Sequence, residues 1–219
     1  MERVIVDICG TLYKSNTTFD FLDRIFYENK KYKFWRKVSR CFFLRKLNSL
    51  LFVLLQKDFK RIYFLTYLKG YSKDLLLLYA QDFFCNYLKQ KENKEVIDYL
   101  LSTPNWSLVL ASATIDPIAS IIAKSLNISN YISSDMEYDN YGVCTGKLKK
   151  DLLGKKKDAL LEKGFGETYE ATISDDYWDL PLFKSSKFTI VVSSKKRISF
   201  WQQVAAENEL TNVRFICVD

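Results

Sequence analysis

Short apolar runs rich in β-branched residues alternate with amphipathic stretches along most of this chain, and this alternation limits the possible folds more than any other feature. The runs are predicted strands, at residues 4–8, 107–111, 169–173, 188–192 and 213–218. The stretches between them are predicted helices, at residues 117–126, 156–163, 177–183 and 199–210. Strands that alternate with helices form a parallel sheet with helices on both faces. The pattern therefore predicts a doubly wound, mostly parallel α/β sheet, and the turn formers within residues 139–146 add a small antiparallel hairpin.

A segment with a different period interrupts this alternation after the first strand. In residues 13–94 the apolar side chains recur every three or four positions, which is the period of helices. Polar joints near residues 29–31, 48, 70–73 and 90–93 divide the segment into four or five predicted helices. We therefore expect an α/β core made of residues 1–12 and 95–219, with an all-helical insertion at residues 13–94.

The composition excludes several kinds of active site. The 219 residues include no histidine, so Ser-His-Asp and Cys-His nucleophile systems and His-ligated zinc sites are excluded. The five cysteines are widely separated and contain no C-x-x-C pair, which argues against a disulfide framework or a zinc ribbon. Any chemistry must therefore use carboxylates, lysines, hydroxyls or thiols, and a reducing compartment is expected.

Polar side chains follow the predicted strands at the edge of the sheet where ligands bind in such folds. The first strand ends in residues 7–12, Ser112 follows the second, residues 155–157 open a helix, and residues 174–179 follow the next strand. A carboxylate at a strand end can be a nucleophile and a ligand of a hard cation, while hydroxyl and ammonium groups bind phosphoryl oxygens. Together these residues predict a phosphoryl-transfer site that needs no histidine.

The order and spacing of these residues resemble the four motifs of the haloacid dehalogenase superfamily, in its phosphoserine phosphatase-like branch with a helical cap. Residues 7–12 resemble the first motif, D-x-D-G-T-L, and residues 108–112 resemble the second. Residues 142–157 resemble the segment that leads to the third-motif lysine, and residues 174–179 resemble the fourth motif, G-D-x-x-x-D. The resemblance implies a Rossmann-like core, a hydrolase that is most often a phosphatase, and a cap formed by the insertion.

The resemblance also implies a nucleophile and a metal site. Asp7 would be the nucleophile that forms an aspartyl-phosphate, and Mg²⁺ would be the cofactor. The implied metal ligands are the carboxylates of Asp7 and Asp175 and the backbone carbonyl of Cys9, with Asp179 supporting them.

Other residues are implied to hold the phosphoryl group. Ser112 would donate a hydrogen bond to it, while Thr11 and the backbone around Gly10 would cradle its oxygens. One lysine would neutralise its charge. Lys157 is the preferred assignment, because a leucine follows it by four positions, and Lys156 is the second candidate.

Cys9 stands where phosphatases of the superfamily have a second aspartate, which protonates the leaving group and later activates water. A thiol with an ordinary pKa of about 8.5 is a poor acid at neutral pH, and loss of a general acid–base typically costs about 10²–10⁴ in rate. Three functions are therefore compatible with the sequence. They are a Mg²⁺-dependent phosphatase or phosphotransferase, a metal-independent hydrolase of the dehalogenase type, and a non-catalytic binding protein with this fold; Asp175 and Asp179 favour a metal.

Positive charge is concentrated in the insertion and its surroundings. Residues 13–98 contain 18 Lys and Arg against 9 Asp and Glu, and residues 13–46 contain 10 against 3, interleaved with aromatic side chains. A solvated helical bundle accounts for this composition, and so does a surface that contacts anionic lipid or a long acidic substrate. We therefore expect a small or a lipid- or glycan-linked phosphomonoester as substrate and peripheral contact with an anionic membrane. The absence of any nucleic-acid-binding motif predicts no nucleic-acid partner.

The chain shows no secretory signal in its first residues. Its most lipid-like stretch, residues 47–55, is far shorter than the roughly 20 residues that a spanning helix requires. We therefore expect a cytoplasmic protein, with peripheral contact at the inner face of the membrane as an alternative.

Overall fold

The computed structural model describes residues 2–103 and 105–218, so residues 1, 104 and 219 of the predicted core lie outside the described residues. Seven strands lie within the described part: β1 (Glu2–Val6), β2 (Trp106–Ile115), β3 (Asn130–Tyr138), β4 (Cys144–Lys150), β5 (Tyr169–Ser174), β6 (Ser186–Ser193) and β7 (Val213–Cys217). They form one sheet in the order β4-β3-β2-β1-β5-β6-β7, and every neighbouring pair is parallel except β3 with β4.

Helices occupy both the insertion and the connections between parallel strands. In the same described residues they are α1 (Thr17–Ile25), α2 (Lys30–Val38), α3 (Phe42–Leu55), α4 (Phe59–Leu65), α5 (Lys73–Asn86), α6 (Lys94–Leu101), α7 (Asp116–Ser125), α8 (Lys156–Glu162), α9 (Leu180–Phe183) and α10 (Ile198–Glu207). Helices α1 to α5 lie between β1 and β2 in the chain, as the helical period predicts. The doubly wound α/β fold with a helical insertion is confirmed.

Alternate residues of the central strand β1 pack on opposite faces of the sheet. Val4 and Val6 belong to a buried cluster that includes side chains of α5, α6 and α7, whereas Ile5 belongs to a second cluster with Leu160 of α8. A strand that is covered on both faces must be apolar at every position. This requirement explains why the first strand is recognisable in the sequence as a continuous apolar run.

The hairpin predicted at residues 139–146 is part of a longer element. Its turn connects β3 to β4, and β3 also pairs in parallel with β2 on its other side. The sequence predicts no strand at residues 130–138, because Asn130 and the polar run Ser133–Asp135 interrupt the apolar pattern. Pairing on both sides, rather than local apolar character, makes this segment a strand.

The joint that the sequence predicts near residue 48 lies inside α3, so this prediction is wrong. Asn48 donates from Nδ2 to Oδ1 of Asp58 at 3.0 Å, and its own Oδ1 accepts a hydrogen bond from the backbone N–H of Lys60 at 3.0 Å. The polar side chain therefore positions the next joint, at residues 56–58, rather than ending its own helix.

Apolar packing is continuous between the insertion and the sheet. Phe64 of α4 and Phe83 of α5 belong to the same buried cluster as Val4 and Val6 of β1. The insertion is thus anchored to the core by shared apolar surface, while the division into residues 1–12, 13–94 and 95–219 stays a prediction.

Asp116 connects α7 to β3. Its Oδ1 accepts a hydrogen bond from the backbone N–H of Met136 at 2.8 Å. Burial raises the pKa of this carboxyl from 3.8 to about 6, because the ionised form loses its hydration. A group whose pKa is higher in the folded state stabilises the fold when it is protonated, and this stabilisation is lost as the pH rises through the folded-state value.

We expect Asp116→Asn to gain stability relative to the unsubstituted protein as the pH rises from about 4 to about 7, the range in which the folded and unfolded states differ in the protonation of Asp116. The gain in the free energy of unfolding should be about 1–3 kcal/mol, because asparagine keeps an acceptor for Met136 but has no charge to bury. Denaturant titrations at both pH values measure it. Asp74→Asn, at an exposed position in the first turn of α5, is the control and should show no such trend. A difference for Asp116→Asn that stays constant with pH would contradict this account.

Candidate active site

The carboxyl ends of the parallel strands border a cavity of about 460 Å³. Its lining includes residues from each of the predicted motifs, namely Asp7, Cys9, Gly10, Ser112, Lys156 and Asp175. The helical insertion contributes to the same cavity through Thr18, Phe19, Asp58 and Arg61. The fold thus brings together side chains that are far apart in the sequence, as the strand-end argument predicts.

Lys156 joins two buried carboxylates in this site. Its Nζ lies 2.7 Å from Oδ1 of Asp7 and 2.7 Å from Oδ2 of Asp179. All three side chains are almost completely buried. The hydroxyl of Ser174 donates to the same Oδ2 of Asp179 at 2.6 Å. The ammonium group of Lys156 therefore joins the start of α8 to the end of β1 and to the turn after β5.

The structure corrects the preferred lysine. The spacing of four residues to Leu161 favours Lys157, but Leu161 is 48% exposed whereas Leu160 is fully buried. The buried face of α8 therefore runs through residues 156 and 160, and Lys157 is only partly buried. The lysine that reaches Asp7 is Lys156, the second candidate from the sequence.

Thr11 and Gly10 determine the position of Asp175. Thr11 donates from its hydroxyl to Oδ1 of Asp175 at 3.1 Å and accepts a hydrogen bond from the backbone N–H of Asp175 at 3.0 Å. A Cβ at Gly10, where φ is +72°, would come within 2.2 Å of Oδ2 of Asp175. Only glycine leaves room for the carboxylate there. The hydroxyl of Thr11 thus orients Asp175, and its contact with phosphate oxygens stays a prediction.

Negative charge exceeds positive charge at this edge of the sheet. Burial raises the pKa of Asp7 to about 6, against the opposing effect of the Lys156 ammonium. Burial and the charge of Asp7 raise the pKa of Asp175 to about 7. Burial also raises the pKa of Asp176, which lines the cavity. Burial opposes the charge of Lys156, but Asp179 and Asp7 outweigh it and raise the pKa of the ammonium.

The oxygen donors of the site fit Mg²⁺, a hard cation that proteins usually bind through one or two carboxylates while it keeps several waters. The carboxylates of Asp7 and Asp175, which repel each other, and the carbonyl of Cys9 form such a set. Asp179 directs its Oδ2 to Lys156 and Ser174. Within residues 2–103 and 105–218, no group of three or more Cys, Asp or Glu side chains is close enough to hold a metal alone. A cation here would therefore keep water or substrate oxygens among its ligands.

Cys9 lies among hydroxyl groups. Its Sγ is 2.8 Å from Oγ1 of Thr17 and 3.1 Å from Oγ1 of Thr114. The Thr114 hydroxyl also lies 2.6 Å from that of Thr17 and 3.0 Å from that of Ser112. Burial, followed by the charge of Asp7, raises the pKa of the Cys9 thiol. The thiol therefore lines the cavity in its neutral form near neutral pH.

Sequence reasoning missed the cavity residues that come from the insertion and one from β2. Arg61, almost completely buried, donates from Nη1 to Oδ1 of Asp151 at 2.5 Å and from Nη2 to the carbonyl of Ala113. Nothing in its sequence spacing marks it, because a helical period does not say how the insertion folds back over the sheet. Thr114 could have been found, since it follows Ser112 by two positions on a strand and shares its face.

The family model for haloacid dehalogenase-like hydrolases matches residues 4–184 of this chain. The matched range includes Asp7, Ser112, Lys156, Asp175 and Asp179. No curated protein sequence matches the chain.

Solved structures share the fold at low sequence identity. A protein of unknown function from Bordetella pertussis Tohama I has a TM-score of 0.73 and 16% identity, over 99% of this chain and 98% of its own. A phosphoserine phosphohydrolase-like protein from Francisella tularensis subsp. tularensis SCHU S4 has a TM-score of 0.61 and 17% identity, over 98% and 95%. A phosphoserine phosphatase in its apo form has a TM-score of 0.56 and 15% identity, over 87% and 86%. These proteins show that the α/β core and its insertion form a recurrent architecture.

Lys156→Met should lower the free energy of unfolding at neutral pH by about 3–5 kcal/mol, because it leaves Asp7 and Asp179 buried without their cation. Lys157→Met, one position along the same helix, should change it by less than about 1 kcal/mol. Denaturant titrations of both variants measure the difference. Equal effects would show that the buried ion pairs do not hold this edge of the sheet together.

Proposed function

Because this chain belongs to the haloacid dehalogenase-like hydrolase family, we propose that it is a Mg²⁺-dependent phosphatase that forms an aspartyl-phosphate on Asp7. The observation that carries the proposal is the buried contact of Asp7 with Lys156, at the border of a cavity that also contains Asp175 and Ser112. Two structural neighbours support the same reaction class: one is a phosphoserine phosphatase, and the other is a phosphoserine phosphohydrolase-like protein.

Asp7 would attack the phosphorus of a phosphomonoester. A bond forms between a carboxylate oxygen of Asp7 and phosphorus, and the bond from phosphorus to the leaving oxygen breaks with its electron pair. Lys156 holds Oδ1 of Asp7 at 2.7 Å and so restricts rotation of the carboxylate. The Lys156 ammonium and the Ser112 hydroxyl would stabilise negative charge on the transferring group. Mg²⁺, held by Asp7, Asp175 and the carbonyl of Cys9, would neutralise charge on the phosphoryl oxygens.

Cys9 limits the proton transfers of this reaction. The leaving oxygen needs a proton, and the water that hydrolyses the aspartyl-phosphate must lose one. A neutral thiol with a raised pKa serves poorly in both steps. Substrates whose leaving group is already a weak base, or transfer of the phosphoryl group to another acceptor, would suit this site better than hydrolysis of an ordinary alkyl phosphate.

The cavity suits the phosphate end of a small or a lipid- or glycan-linked phosphomonoester. Its volume of about 460 Å³ is within the range of small-molecule sites. Arg61 from the insertion and Arg197 from the turn before α10 add positive charge to its lining. Arg61 is paired with Asp151, so the charges of Arg197 and Lys156 are the ones that favour an anionic substrate.

We expect phosphate release from a panel of phosphomonoesters only when Mg²⁺ is added, and Asp7→Asn should lower that rate by about 10³-fold or more. Asparagine keeps the shape of Asp7 but lacks the nucleophilic carboxylate. Colorimetric phosphate assays with aryl, alkyl and lipid-linked substrates measure the rate. Asp74→Asn, which changes an exposed aspartate on α5, is the matched control and should retain full activity.

Three other outcomes would contradict the proposal. Equal phosphate release by the unsubstituted protein and Asp7→Asn would remove the aspartyl-phosphate route. Halide release from short 2-haloacids without metal would indicate the dehalogenase type of hydrolase. Mg²⁺-dependent binding of a phosphomonoester without turnover would indicate a binding protein.

Cys9→Asp should raise turnover of simple aryl and alkyl phosphates by about 10²-fold or more. A carboxyl at this position would meet the Thr17 and Thr114 hydroxyls and would supply the missing acid–base group. Steady-state rates on both substrate types measure the gain. Cys9→Asn is the control, since it is similar in size but cannot exchange a proton, and it should give no increase. An unchanged or lower rate for Cys9→Asp would show that Cys9 is not what limits hydrolysis.

A further inference from the structure

Helix α3 exposes most of its apolar side chains. Of its described residues only Phe52 is buried. Phe43, Leu47, Leu50 and Leu54 are 71%, 42%, 55% and 67% exposed. They follow one another at spacings of four, three and four residues, so they form one stripe along the helix. Such a contiguous apolar surface marks a site of interaction.

The positive charge of the chain is concentrated around this stripe. Residues 29–57 contain nine Lys and Arg and no Asp or Glu. The cations on or next to α3 are Arg45, Lys46 and Lys57, and all three are exposed. An apolar stripe flanked by exposed cations is the combination that interfacial helices use on anionic lipid.

Helix α2 extends the same surface. Its Phe34 and Trp35 are 61% and 41% exposed, and aromatic side chains of this kind favour the boundary between lipid and water. An apolar groove of about 260 Å³ opens between α2, α3 and α4, with Trp35, Leu44 and Leu51 among its lining residues.

We propose that α3, together with α2, docks this protein on an anionic lipid bilayer. The stripe Phe43–Leu54 enters the interface, and the surrounding cations contact the lipid phosphates. No helix within the described ranges combines the length and apolar character that crossing a bilayer demands. With 14 residues, α3 measures only about 21 Å, so it lies along the surface of the bilayer.

Charge distinguishes lipid from a second copy of the chain as the occupant of this face. Two copies that met through α3 would bring the cations of residues 29–57 against one another, and facing like charges oppose association. An anionic bilayer instead has a hydrocarbon interior for the apolar stripe and negative phosphates for the surrounding cations. Charge complementarity therefore selects the bilayer.

The docking helix also contacts residues that are neighbours in sequence of the candidate active site. The ring of Phe52 lies against that of Trp178, with ring centroids 4.7 Å apart, and Trp178 directly precedes Asp179. Gln56, just after α3, lies beside Gly154 in the loop that leads to Lys156. The docking proposal does not depend on the proposed reaction, because lipid binding involves no turnover.

Vesicle co-sedimentation of the full chain tests the proposal. The protein should sediment with vesicles of phosphatidylcholine containing about 30% phosphatidylglycerol, and at least about tenfold less with phosphatidylcholine alone. The double substitution Leu50→Gln and Leu54→Gln should weaken binding to the anionic vesicles by about tenfold or more. The matched control is Leu78→Gln with Leu101→Gln, which replaces leucines that are 63% and 75% exposed on α5 and α6 and should leave binding unchanged.

A second double substitution, Arg45→Gln with Lys46→Gln, tests the charge without removing apolar contacts and should also weaken binding to anionic vesicles. Circular dichroism and denaturant titration establish that each variant is folded. Failure of the unsubstituted protein to bind anionic vesicles, or full binding by the Leu50 and Leu54 variant, would overturn the proposal. A stable dimer in gel filtration without lipid would also overturn the proposal, if only the Leu50 and Leu54 variant converted it to a monomer. A second copy of the chain would then cover the stripe of α3.

Discussion

Lys156 contacts Asp7 and Asp179 in the interior of the protein, and Asp7 is 149 positions away in the sequence. Burying an ammonium group costs free energy unless carboxylates surround it, and each buried carboxylate has the same need for a cation. The three groups therefore stabilise one another only when β1, α8 and the turn after β5 have all assembled. The proposed nucleophile, the charge that would stabilise the phosphoryl group and the packing of this edge of the sheet depend on the same contacts.

The loop after β1 links this charge network to the helical insertion. Asn93, at the end of the insertion, donates from Nδ2 to the carbonyls of Gly10 at 2.9 Å and Thr11 at 2.7 Å. Gly10 leaves space for the Asp175 carboxylate, and Thr11 holds it. The position of a predicted metal ligand thus depends on the place where the insertion rejoins the core. Because Arg61 of α4 also lines the cavity, the shape of the cavity depends on how the insertion folds.

Two kinds of apolar surface occur in the insertion. Phe64 and Phe83 are buried against the core, as in any globular helix pair. The stripe of α3 is exposed and flanked by cations, and the last turn of this helix packs against Trp178, which directly precedes Asp179. An enzyme whose substrate carries a lipid would need a surface for the bilayer close to its chemistry, so the docking proposal and the lipid-linked class of substrate are compatible on physical grounds.

The sequence by itself determined the fold class, the helical insertion and the cavity residues that follow the strands of the core. It did so because a strand buried on both faces must be apolar at every position, and because parallel strands end at one edge, where Asp7, Ser112 and Asp175 are recognisable by their order. Tertiary structure alone decided that Lys156 rather than Lys157 reaches Asp7, that Thr11 orients Asp175, and that Arg61 enters the cavity. Local periodicity predicts that a segment has an apolar face. It does not predict how a helix is rotated about its axis against the sheet, because packing between residues far apart in the chain sets that rotation.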